Sequence, residues 1–70
     1  MLASDRQVNY LECLQDKVEV LYKKGYVKRF TRMDWRKERG LGMTIDDASI
    51  RIRAYKEIIF WSNVTMDLLG

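Results

Sequence analysis

The residues best suited to chemistry lie in one short stretch: Lys28, Arg29, Arg32, Trp35, Arg36, Lys37 and Arg39. They are all donors or π faces. Guanidinium and ammonium groups neutralise phosphate or carboxylate, and an indole stacks on unpaired bases. The wider run Lys23–Arg39 holds eight of the chain's 13 Lys and Arg, opposed only by Asp34 and Glu38, with Tyr26, Phe30 and Trp35 spaced through it. The remainder of the chain is net acidic. Lys23 and Lys24 fall at an expected helix end, where the dipole accounts for them. The candidate binding segment is therefore 28–39, and its expected partner is nucleic acid or an acidic protein surface. The alternative is a solvated loop that keeps a small protein soluble.

Catalytic chemistry is poorly provided for. There is no His to act as general base. Cys13 borders an apolar stripe and reads as a small packing residue rather than a nucleophile. Asp46 and Asp47 are adjacent, so on a helix they diverge by about 100° and suit a shared metal badly; first-turn acids complement the helix dipole. With no His and one Cys the usual zinc sets are excluded. Gly40-Leu41-Gly42 is too short for a phosphate loop. The expectation is a non-enzymatic protein without cofactor or metal.

Two helices must hold this segment. Ser4-Asp5-Arg6-Gln7 has the form of a capping box, and Val8, Leu11, Leu14, Val18 and Leu21 follow at helical spacing. Gly25 is a left-handed stop. The pattern predicts a helix over 5–24. Thr44-Ile45-Asp46-Asp47 is a second start, and Ala48, Ile52, Tyr55 and Ile59 form its stripe, widened by Ile45, Ile58 and Trp61, predicting a helix over 45–61. Ser62-Asn63 is the expected end, with Val64–Leu69 a short helix or a packed tail. Residues 26–32 read as a loop or extended segment, and Thr31 or Asp34 could cap a short helix ending near Gly40.

The expected architecture is all-α: one domain over 1–70, an antiparallel pair of amphipathic helices joined by the basic segment. A chain of 70 residues has a marginal core and neither disulfide nor metal to reinforce it. A homodimer through Leu11, Leu14, Val18, Leu21, Ile52, Tyr55 and Ile59 is the expected compensation. No signal peptide or membrane-length apolar run is visible, and a cytoplasmic setting is expected. A helix-turn-helix reading fails on its buried positions. Either glycine register places Arg36 and Asp46, or Glu38 and Arg51, where small or apolar residues belong.

Ala3-Ser4-Asp5-Arg6-Gln7, with Tyr10 and Leu14, resembles the T/S-x-K/R-Q-x-x-Y-I/L-x-x-L opening of short helical modules in phage and other mobile-element proteins. Met43-Thr44-Ile45-Asp46-Asp47-Ala48-Ser49, with Ile52, is similar to their L-T-x-x-E-A-S-x-x-I part. The likeness covers roughly residues 1–22 and 43–59. It departs in the long basic insertion and in Asp47, where the pattern prefers Glu. Such modules stand alone or are appended to replication and recombination proteins. The resemblance implies a mobile-element origin and a function lodged in the insertion. Two tasks fit: binding nucleic acid, or inhibiting a host nucleic-acid-handling protein, such as a CRISPR nuclease or a polymerase.

Overall fold

The structure is a computed structural model that describes residues 1–69. Three helices make up the fold: α1 (Asp5–Lys23), α2 (Trp35–Gly40) and α3 (Ile45–Leu69). Among the described residues there is no strand, only an isolated antiparallel bridge between Leu2 and Thr44. The all-α expectation holds.

Each helix starts where its cap dictates. The Ser4 hydroxyl accepts from the Gln7 N–H at 3.1 Å, and the Gln7 side chain accepts from the Ser4 N–H at 3.1 Å. Thr44 and Asp47 exchange the same pair of bonds at the head of α3, at 3.1 and 3.2 Å. Such a box satisfies two amide donors that would otherwise lack partners. Asp34, rather than Thr31, caps α2 by accepting from the Lys37 N–H at 3.2 Å. α1 stops at Gly25, whose φ of +88° is open to glycine and costly for other residues. α3 does not stop at Ser62-Asn63. Neither is a strong breaker inside a run with no Gly or Pro, so the helix continues to Leu69.

The two long helices run parallel, not antiparallel. The Gln7 side chain donates to the Ile45 carbonyl and the Ser49 hydroxyl, Tyr55 donates to Gln15, and Lys17, Val20 and Leu21 meet Ile59 and Asn63 across a shallow groove. The linker explains the direction. A short turn after α1 would send the chain straight back as the next helix. Here residues 24–34 are irregular, and they travel back along α1 before α2 and the Thr44 turn begin α3. The 19 residues of α1 span about 28 Å. The linker covers that length, pairing Phe30 with Tyr22 near one end and Met43 with Ala3 at the other. We refer to 24–44 as the strap.

Val8, Leu11, Leu14, Val18 and Leu21 are buried, as is Ala48 opposite them. Ala3, Trp35 and Met43 close the core at the end where both long helices begin, with Met33, Ile52 and Tyr55 packed against it. This overturns the expected dimer seam. Leu11, Leu14, Val18 and Leu21 are covered within one chain, and Ile52, Tyr55 and Ile59 are half-buried on the same inner face of α3. Trp61 departs from expectation too: it points away from the core and is 63% exposed. Cys13 is exposed as well, one position off the packed stripe.

Candidate binding surface

The strap lies on α1 by charge matching. Asp5, Glu12 and Glu19 recur every seven residues, and Asp16 sits one turn from Glu12. On a 3.6-residue helix these four carboxylates share one row. The strap brings its arginines to that row in reverse order. Arg32 pairs with Glu19 at 2.7 Å and Asp16 at 3.0 Å. Arg36 pairs with Glu12 at 3.5 Å and donates to the Asn9 side chain at 3.3 Å. Arg39 binds Asp5. The Arg39 hydrogen bond holds the Asp5 carboxyl below its ordinary range, and the Asp16 hydrogen bond raises Arg32 above its own.

Beneath this row a buried amide fixes the backbone. Gln15 is 1% exposed, and its Oε1 accepts from the Met33 N–H at 2.7 Å while its Nε2 donates to the Met33 carbonyl at 3.1 Å. The same Oε1 accepts from the Tyr55 hydroxyl at 3.4 Å. One side chain thus ties α1, the strap and α3. Burial pushes the Tyr55 hydroxyl up from its ordinary value.

Of the expected site residues, Trp35 is displaced furthest from its expected role. It is 2% exposed, edge-on to Tyr55 at 6.0 Å, and capped by the Arg51 guanidinium 5.4 Å from its ring. A base cannot stack on it; it is a core residue. Its indole N–H is the one fully buried side-chain polar atom without a hydrogen-bond partner among the described residues. Arg32, Arg36 and Arg39 are engaged with α1. Lys28, Arg29 and Lys37 are exposed, and they have no carboxylate partner among the described residues. No group of acids, Cys or His among the described residues could hold a metal ion.

A second set of cations lies on the other flank of α1, and sequence reasoning missed it. Arg6 and Lys17 project there with Tyr10 between them, away from the acidic row. Lys56 of α3 meets this flank, its ammonium 5.3 Å from the Tyr10 ring. Arg53 sits one turn before Lys56 on the same side of α3, and Phe60 one turn after, 58% exposed. None of Arg6, Lys17, Arg53 and Lys56 has a carboxylate partner among the described residues. The signal was present in α1. Its acids fall in one row, joined at the end by Lys23, which pairs with Glu19 at 3.8 Å, while Arg6 and Lys17 fall in another; only the acids are matched by the spacing of Arg32, Arg36 and Arg39.

No protein-family model matches the chain, and no curated protein or solved structure matches it.

Proposed function

We propose that the protein is a non-enzymatic nucleic-acid-binding module whose main contact surface is the flank formed by Arg6, Lys17, Arg53 and Lys56. The observation that carries this reading is the sorting of charge on α1: acids turned to the strap and neutralised, Arg6 and Lys17 turned to the opposite flank and without a carboxylate partner among the described residues. Cations not spent on internal carboxylates are the ones able to release counterions from a phosphate backbone. Tyr10, half-covered by Lys56, and Phe60 supply aromatic faces beside them, suited to bases of an unpaired strand. Lys28, Arg29 and Lys37 add charge from the strap side.

The test is fluorescence anisotropy with single-stranded and duplex oligonucleotides at about 50 and about 200 mM salt, a range over which phosphate-based binding weakens steeply. Salt-dependent binding supports the module. Absent or salt-indifferent binding, together with a stoichiometric protein partner that survives nuclease treatment, favours instead an inhibitor seated in an acidic groove of a nucleic-acid-handling protein.

A further inference from the structure

α3 carries two apolar stripes on opposite faces. Ala48, Ile52, Tyr55 and Ile59 face α1. Ile50, Ala54, Glu57, Trp61, Val64 and Leu68 recur at spacings of four, three, four, three and four on the far side. Ile50, Trp61 and Leu68 are 67%, 63% and 82% exposed, and Phe60 packs edge-on to Trp61 at 5.2 Å. A helix apolar on both faces is a helix covered on both faces, and the chain covers only one.

We propose that a second copy of this chain covers the other, in a two-fold dimer whose α3 helices pack antiparallel across this stripe. Three observations select that occupant.

The first is area. The chain exposes 5319 Å², where a compact monomer of 8.4 kDa exposes about 4,600 Å². The excess of roughly 700 Å² is close to the ~800 Å² that each partner buries in an interface of standard size. The shape agrees: extents of 43 × 17 × 16 Å and a radius of gyration of 13.1 Å, against about 11 Å for a compact domain of this length.

The second is symmetry of the stripe. Laid antiparallel on itself, it sets Ile50 against Leu68 and Ala54 against Val64 of the second copy, while Glu57, the one charged residue of the stripe, falls beside Trp61. A two-fold interface requires that self-complementarity.

The third is charge. Beyond the first turn, where Asp46 and Asp47 complement the helix dipole, α3 carries Arg51, Arg53 and Lys56 before its midpoint, and Glu57 and Asp67 but no Lys or Arg after it. Parallel copies would align base with base. Antiparallel copies set the basic half beside the acid-bearing half and the negative helix end.

The dimer does not rest on nucleic-acid binding and is measured without nucleic acid. It has a consequence for that reading. A two-fold axis perpendicular to the helices keeps both Lys17/Lys56 flanks on the same side, so one ligand strand could meet both.

Sedimentation equilibrium of the free protein at about 100 µM, a concentration at which an interface of standard size is well populated, should give twice 8.4 kDa. Trp61→Glu or Leu68→Glu, both at exposed positions, should give a monomer with unchanged helical circular dichroism. Ile50→Cys/Leu68→Cys in a Cys13→Ser background should cross-link into a covalent dimer under mild oxidation, and Trp61→Cys alone should not. A monomeric wild-type protein, a dimer indifferent to both Glu variants, or efficient cross-linking through Trp61→Cys alone would each overturn the proposal.

Discussion

Gln15 is the residue on which the strap's position depends. Its amide satisfies both backbone groups of Met33, and removing it leaves them at a half-buried site with nothing to bond. A buried donor or acceptor stripped of its partner costs about 1–3 kcal/mol. Gln15→Leu should therefore lower stability by about 2 kcal/mol in urea denaturation, although leucine is the more apolar residue. Trp35→Ala should cost more, about 3–5 kcal/mol, through the cavity it leaves. If Trp35 were a stacking platform at the surface, the same substitution would spare stability and abolish binding. Asp5 and Asp47 carry the pH dependence. Arg39 holds the folded Asp5 carboxyl below its ordinary range, and hydrogen bonds from Thr44 do the same for Asp47. Groups lowered in the folded state stabilise it above their unfolded values, near 3.9, and that contribution is lost as pH falls through the folded ones. Thermal unfolding should thus show a falling midpoint below about pH 4, and Asp47→Asn should flatten the fall.

At the scale of elements, the caps and stripes were legible and the connections were not. Ser4 with Gln7, Thr44 with Asp47, and Gly25 each act as their residue types require. The inward positions of α1 are the apolar ones that its spacing picks out, with the addition of Gln15, whose polarity hid it from that pattern. The direction of α3 was missed because helix periodicity carries no information on the path of the linker. A reading of length alone would have asked what 24–44 does besides turn. The answer lies in Glu12, Asp16 and Glu19 of the first helix, off its apolar stripe, whose spacing matches Arg32 and Arg36 of the strap. The basic run looked like a ligand site because its counter-charges sit elsewhere in the sequence. These are exposed pairs, worth ~0.2–1 kcal/mol each and weakened by salt. Replacing Arg36 and Arg39 together with Ala should cost about 1 kcal/mol at low salt and less at high salt, in parallel urea titrations. Gly25→Ala should destabilise by about 1 kcal/mol, because no L residue sits easily at a φ of +88°.

The whole molecule is a parallel pair of helices with its charge sorted by side. One flank is neutralised from within, one is left cationic, and the outer face of α3 is left apolar. No helix is long and apolar enough to cross a membrane. The central claim is that the cationic flank, not the strap, meets nucleic acid. It is tested most directly by two variants of equal net charge, Lys17→Ala/Lys56→Ala on the flank and Lys28→Ala/Lys37→Ala on the strap. Affinities for one oligonucleotide are measured by anisotropy across a salt series. The flank variant should lose affinity strongly, with its salt slope reduced by about 1.4–1.8, roughly 0.7–0.9 per lost phosphate contact. The strap variant should keep most of both. Equal losses in the two variants, or a larger loss in the strap variant, would contradict the account.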